Sequence, residues 1–328
     1  MIAMRGAKGK SAEEQKCNST EGLKNFCTIA LLHFCTFRAK VLPMGRYRKI
    51  LAAVDGSDSS KNAFRQACKI VHDDKSWITV LTTIPVYQDQ FDVLSTREKI
   101  GKKLQEEGEK ILAGIREIAN EEDVYIRTKI EEGTPFQTIV DAADEGGYDL
   151  IVMGRHGMKR LEKTLVGSVT ARVIGHSQSD VLVVPHDSAI GWKEILLPTD
   201  GSKYCRAAAE KAIDLAKSYG GQLRIVSIVD VTDEFQTEAP GAVEKLVKEA
   251  KGFVEGVKRN AEAEGVKAEA LVKEGETYKI ITDTARQYNS NVIVMGSHGR
   301  TGIKRLLMGS VAEKVIGYAP CPVLVVKP

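Results

Sequence analysis

From residue 49 onward, short apolar runs alternate with longer segments whose apolar residues recur every three or four positions. The runs 49–54, 77–84, 124–130, 150–153 and 181–184 read as strands buried on both faces, as parallel sheets require. Between them, 57–71 carries Ala63, Phe64, Ala67, Cys68 and Val71 on one helical face, with Ser57 placed to cap it. Residues 99–118 form a long charged amphipathic helix, with Lys102, Lys103, Glu106, Glu107 and Lys110 on its outer side. Pro135 opens a further helix at its first turn, and 168–174 begins another.

The same order then recurs. Lys49-Ile50-Leu51-Ala52-Ala53-Val54-Asp55-Gly56-Ser57 has its partner in Glu194-Ile195-Leu196-Leu197-Pro198-Thr199-Asp200-Gly201-Ser202, 145 positions on. Ile151-Val152-Met153-Gly154 returns as Ile293-Val294-Met295-Gly296, and Val181-Leu182-Val183-Val184 as Val323-Leu324-Val325-Val326, both at 142. The first copy therefore carries three extra residues between its first and third strands. A period this long marks duplicated domains and not a solenoid. Alternating strands and helices with right-handed crossovers predict α/β architecture: two tandem doubly wound domains, each a five-stranded parallel sheet with helices on both faces. The expected boundaries are 46–187 and 192–328, joined by the short linker Pro185 to Trp192. Trp77 and Trp192 read as packing residues.

Residues 1–45 follow neither pattern and are expected to be a poorly ordered extension. Met44 stands just before the first strand and reads as a natural start; a functional tail or a targeting signal built on the apolar run 26–37 are the alternatives. This segment also skews the charge. Residues 1–48 hold nine Lys/Arg against three Asp/Glu, so a whole-chain charge of +3 leaves the remainder at −3. A mildly acidic body argues against nucleic acid as the partner. No apolar stretch is long enough to span a bilayer. Cys17, Cys27, Cys35, Cys68, Cys205 and Cys321 form no metal-ligand spacing, and scattered thiols suit a reducing, cytoplasmic setting.

The candidate chemistry follows the fourth strand of each copy. Gly154-x2-Gly157-x9-Gly167-Ser168 is repeated as Gly296-x2-Gly299-x9-Gly309-Ser310, with His156 and His298 in matching places. Seven of the sixteen positions 154–169 are identical in 296–311, so the glycines are more than isolated turn residues. Glycines let backbone N–H groups approach a phosphate, and a helix beginning at Gly-Ser offers unpaired N–H groups at its positive end. Asp55 and Asp200 end the first strands and should face the same crevice, where a carboxylate can bind a ribose hydroxyl or help hold Mg²⁺ on phosphates. Lys159-Arg160 and Lys304-Arg305 either offset phosphate charge or form a solvated face. No nucleophile surrounds the histidines, which read as polar loop positions and not catalytic groups.

These features resemble the universal stress protein family in its tandem, two-domain form, over residues 46–328. The resemblance implies domains that pair through their last strands, here 181–184 and 323–326, and ATP binding by members with the glycine motif. Carried over by position, it implies adenosine-side contacts at Pro198, Thr199 and Asp200. Ile228 would lie behind the base, with Met295, Gly296, His298, Gly299, Gly309, Ser310 and Val311 on the nucleotide loop. The first copy offers Ala53, Val54, Asp55, Thr83, Met153, Gly154, His156, Gly157, Gly167, Ser168 and Val169. It lacks the Pro-Thr-Asp pattern and has polar Thr83 near the base, so the second copy should bind more tightly. The implied function is that of an ATP-binding stress or regulatory protein, with Mg²⁺ as counter-ion and binding rather than turnover as output. A slow ATPase, a nucleotidyl-transfer enzyme and a nucleotide-free scaffold are the rivals. The sequence leaves homodimerisation of whole chains open.

Overall fold

The structure, a computed structural model, describes residues 47–85, 94–158, 165–299 and 308–328. The N-terminal extension and the two basic pairs, Lys159-Arg160 and Lys304-Arg305, lie outside them. The first half runs β1 (Lys49–Ala53), α1 (Asp58–Asp74), β2 (Trp77–Ile84), α2 (Leu94–Glu121), β3 (Ile126–Glu132), α3 (Pro135–Gly146), β4 (Leu150–Gly154), α4 (Ser168–His176) and β5 (Asp180–Val184). The second runs β6 (Glu194–Pro198), α5 (Lys203–Tyr219), β7 (Gln222–Val229), α6 (Asp233–Glu238), α7 (Pro240–Ala263), β8 (Lys267–Glu274), α8 (Thr277–Gln287), β9 (Val292–Gly296), α9 (Ser310–Tyr318) and β10 (Val323–Val326). The offset between copies is still 145 at β2 and β7, and is 142 by the ends of β3 and β8. The three extra residues thus lie between the second and third strands.

Helix ends follow local chemistry. Ser57 caps α1, its Oγ accepting from Ser60 N–H at 3.2 Å, and Ser202 does the same for α5 from Cys205 N–H at 3.3 Å. Pro135 stands at the first turn of α3, and Gly147 closes it in the left-handed region. The third strand begins two residues later than the apolar run suggested. Val124 is buried, but its N–H closes the end of α2 on Ala119 O at 2.9 Å, so it belongs to the turn.

The ten strands form one sheet in the order β3-β2-β1-β4-β5-β10-β9-β6-β7-β8. Every pairing is parallel except β5 with β10, where Leu182 faces Leu324, with Val183 and Val181 opposite Val323 and Val325. All six are essentially fully buried. Strand residues alternate between two apolar layers. Ile50, Ala52, Val152 and Leu182 pack with α1, α2, α5 and α7 on one face. Leu51, Ala53, Met153 and Val183 pack with α3, α4, α8 and α9 on the other. Each layer runs through both halves, so the halves share a continuous core across the β5–β10 seam.

Polar contacts reinforce that seam. Asn62 Nδ2 donates to Pro185 O at 2.9 Å and Ser188 O at 3.0 Å, and Gln66 Oε1 accepts from Ile190 N–H at 3.1 Å, fastening the linker to α1. Tyr219 Oη donates to Asp74 Oδ1 at 2.6 Å, from one half to the other. Trp192 is buried and stacks on Tyr219, with ring centroids 5.2 Å apart. Trp77 does not pack: 71% of its surface is exposed at the amino end of β2, where the guanidinium of Arg127 covers one ring face. Cys68, Cys205 and Cys321 are free and buried, and burial pushes their thiols up to about 12, 11 and 12, so they act as small hydrophobes. Among the described residues no helix is long and apolar enough to cross a membrane.

Candidate functional site

In each half the strand order reverses between the first and fourth strands: β1 is flanked by β2 and β4, and β6 by β7 and β9. Crossovers leave those strands in opposite directions, which opens a crevice beyond their carboxyl ends. The glycine motif and the first-strand aspartate meet there in both halves.

The first half shows how the sequence builds this corner. Gly56, at φ 85°, adopts a left-handed turn that ordinary side chains resist, and Gly201 does likewise at 76°. The turn folds Asp55 over its own loop, so its Oδ1 accepts from Ser57 N–H at 3.1 Å and Ser57 Oγ at 2.6 Å. Its Oδ2 reaches the other strand's loop and accepts from Met158 N–H at 2.8 Å. Asp55 therefore ties the β1 turn to the β4 loop. This contact explains Gly157, because a Cβ there would lie 2.4 Å from Asp55 Oδ2. The second half matches: Asp200 Oδ1 accepts from Ser202 N–H at 2.9 Å, and a Cβ on Gly299 would lie 2.7 Å from its Oδ2.

Gly154 and Gly296 serve a different contact. A Cβ on Gly154 would lie 2.5 Å from Ser59 Oγ and 2.9 Å from the Ser59 carbonyl carbon; on Gly296 it would lie 2.7 Å from Tyr204 Cβ. These glycines let the first turn of α1 or α5 press against the end of the fourth strand. Ser59 Oγ is buried there without a hydrogen-bond partner.

Gly167 and Gly309 stand in extended conformation at the N-caps of α4 and α9, and neither helix has a side-chain cap. Gly167 N–H donates to Arg155 O at 2.9 Å, and Gly309 N–H to Ser297 O at 3.0 Å, folding each motif's last glycine onto its start. Ser168 and Ser310 are exposed at these helix starts, where helix N–H groups and the positive dipole end face outward. Val169 is half-buried, and Val311 is exposed.

The remaining candidates line the same corner. Ala53, Val54 and Met153 are buried around the ends of β1 and β4; Pro198, Thr199 and Met295 occupy the matching places on β6 and β9. Thr83 and Ile228 stand half-buried near the ends of the second strands. His156 is half-buried, and the ring of His298 lies 5.3 Å from that of Tyr204, with its Nδ1 3.1 Å from Ser297 Oγ. Tyr204 corresponds to Ser59 in the first half, so at this position the second corner has an aromatic face where the first has a hydroxyl. Pairwise reading of the repeat exposes that difference, but sequence analysis had not singled it out. It also missed Arg155, whose side chain leaves the first corner altogether. A cleft of about 440 Å³ lies elsewhere, at the amino ends of β2 and β3 among Trp77, Val124, Tyr125 and Arg127.

An anionic ligand with an apolar end suits these corners: uncapped helix starts and bare glycine backbone for the anion, buried strand ends for the apolar part. A metal held by protein alone does not, since no group of three His, Cys, Asp or Glu side chains converges among the described residues.

The model of the universal stress protein family matches residues 46–185 and again 191–327. The chain belongs to the universal stress protein family. A universal stress protein of Methanocaldococcus jannaschii is 40% identical over 140 residues, 42% of this chain and 82% of that protein. One of Mycolicibacterium smegmatis is 27% identical over 301 residues, 85% of this chain and 97% of its own length, so it shares the tandem layout. The crystal structure of a universal stress protein from Archaeoglobus fulgidus covers 86% of this chain and 97% of its own, with TM-score 0.67 at 23% identity, a likeness of fold.

Proposed function

We propose that this tandem universal stress protein binds ATP, with Mg²⁺ carried on the phosphates, in the crevices of both halves, and acts through binding rather than turnover. The observation that carries this reading is the duplicated corner itself. In each half an uncapped helix start and a glycine backbone face a crevice at the reversal of strand order, with the first strand's aspartate lying against the motif's second glycine. The family resemblance supplies the identity of the ligand.

The residues divide the work. Gly154, His156, Gly157, Gly167, Ser168 and Val169, and in the second half Gly296, His298, Gly299, Gly309, Ser310 and Val311, surround the phosphates. Ala53, Val54, Asp55, Thr83 and Met153, with Pro198, Thr199, Asp200, Ile228 and Met295, take the nucleoside. The second site is the tighter, because Ile228 and Tyr204 offer the base more apolar surface than Thr83 and Ser59. The domains, 46–187 and 192–328, stay paired through β5 and β10 in solution, and the protein works in the cytoplasm, alone or as a homodimer. Regulation would then follow from mass action, since ligand binding stabilises the bound form.

The test is calorimetric titration of nucleotide-stripped protein with ATP and Mg²⁺, beside Gly167→Val and Gly309→Val variants. Saturable binding, with one site lost in each variant, is expected. Absence of binding in folded wild-type protein would sink the reading, and phosphate release over many turnovers would move it to an ATPase.

A further inference from the structure

The two glycine corners are physically joined by one helix. The N-terminus of α9 is the Gly309-Ser310 corner of the second half, and its far end, nine residues later, is gripped by the loop of the first. Arg155 stands between Gly154 and His156. Its guanidinium crosses the seam and donates to Gly317 O at 2.8 Å, in the last turn of α9, and to Ala319 O at 2.6 Å, on its C-cap residue. A cation at a helix C-terminus also meets the negative end of the dipole. Leu165, two residues before the last glycine of the first motif, packs on the same turn: a Cβ on Gly317 would lie 2.7 Å from Leu165 Cβ.

At its other end Arg155 is part of the first corner's backbone. Its N–H donates to Val184 O at 3.0 Å, and its carbonyl accepts from Gly167 N–H, the N-cap of α4. A shift of the 154–157 backbone or of Gly167 therefore moves the arm that holds α9. A nine-residue helix is about 14 Å long, so α9 spans that distance from the second corner to the arm of Arg155. The guanidinium is buried, which lowers its pKa to about 10, and its Nε has no hydrogen-bond partner.

An arginine in the glycine loop is found in one copy only; from the other side it is Lys327, just after β10, that donates across the seam to Ile174 O in the last turn of α4. The residue matching Arg155 in the second half is Ser297, which is buried against His298 and too short to reach α4. Energetic coupling is nevertheless reciprocal between binding sites.

We propose that Arg155 is a positioning residue that couples the two nucleotide sites through α9, so that ATP in the first half changes the affinity of the second. This rests on the reading of both corners as nucleotide sites. The test uses the full chain and ATP with Mg²⁺. Site-two affinity is measured with site one filled, in the wild type, and with site one disabled by Gly167→Val; their ratio is the coupling factor. The same ratio is taken in Arg155→Met and in Gly317→Ala, which wedges α9 from Leu165 and leaves the glycines of both motifs in place. A factor of about 5 or more is expected in the wild type, falling toward one in both variants. Hydrogen exchange adds a structural readout. In Gly309→Val, ATP at site one should change amide exchange at the end of α9, and should cease to do so when Arg155→Met is added. Two bound nucleotides with a factor near one, or a factor unchanged in both variants, would overturn the coupling alone. If Arg155→Met does not fold, Gly317→Ala decides. No binding in wild type would overturn the nucleotide reading, and this inference with it.

Discussion

Two glycines three positions apart should fail in different ways when each is given one methyl group. At Gly154 the new Cβ would sit 2.5 Å from Ser59 Oγ, and 2.9 and 3.0 Å from the Ser59 carbonyl carbon and oxygen. The hydroxyl can rotate, but the backbone of the first turn of α1 cannot. The helix must back away from β4, loosening a layer that includes Phe64 and Ala67. Overpacking of this kind costs about 1–3 kcal/mol. At Gly157 the Cβ meets only the carboxylate of Asp55, with Oδ2 at 2.4 Å and Cγ already at 3.5 Å. That carboxylate can swing toward solvent, giving up its bond from Met158 N–H. Folding should lose less than about 1 kcal/mol, since water replaces the lost partner. The tie between the β1 turn and the β4 loop is broken, however, and ATP affinity at the first site should fall.

Urea denaturation reads the first effect and calorimetric titration the second. With an m-value of ~2 kcal/mol/M, Gly154→Ala should lower the midpoint of its half by about 0.5–1.5 M. Gly157→Ala should leave the midpoint within about 0.5 M and weaken binding in a chain whose second site is disabled by Gly309→Val. A Gly154→Ala protein as stable as wild type would show that α1 does not bear on β4. Unchanged binding in Gly157→Ala would show that the aspartate tie does not shape the site.

Three further outcomes follow from the seam and the core. Burial lowers the pKa of Lys327 to about 8, against 10.5 unfolded, so the unfolded lysine binds the extra proton between those values and its own contribution to stability should rise with pH across that window, opposing the buried thiols; the stability of wild type relative to Lys327→Met should therefore rise in denaturation curves taken from pH 7.5 to 9.5. Leu182→Glu places a carboxylate opposite Leu324 where both side chains are fully buried, and should part the halves, seen as faster proteolysis in the 185–192 linker; an unchanged digestion pattern would refute the seam. Trp192→Ala removes a buried ring stacked on Tyr219 and should cost about 3–5 kcal/mol, whereas Trp77→Ala at an exposed site should stay within about 0.5 kcal/mol, both measured by denaturant titration.

What the sequence revealed depended on whether a residue's role was set by its neighbours in the chain or by distant ones. The central strands were legible because burial on both faces demands unbroken apolar runs, as at 150–154 and 181–184. The edge strand β3 begins two residues later than the apolar pattern suggests because its Ile126, Thr128 and Ile130 are only half-buried, its Arg127 and Lys129 are exposed, and the nearby buried Val124 belongs to a turn. Trp77 was misread for the same reason: its size suggests burial, yet the amino end of β2 lies open. The glycine corner could be read locally, since Asp-Gly-Ser and the two-then-nine spacing encode turns and caps within short stretches. Arg155 could not, because the carbonyls it holds are 162 and 164 positions away. Its only trace in the sequence is a mismatch: the repeat keeps Gly-x-His-Gly but has Arg in one copy and Ser in the other. Within a duplicated chain, matching positions mark what each domain needs for itself. The mismatches are where the two copies have become different parts of one molecule, and a side chain crossing the seam from only one copy is the form such a difference takes.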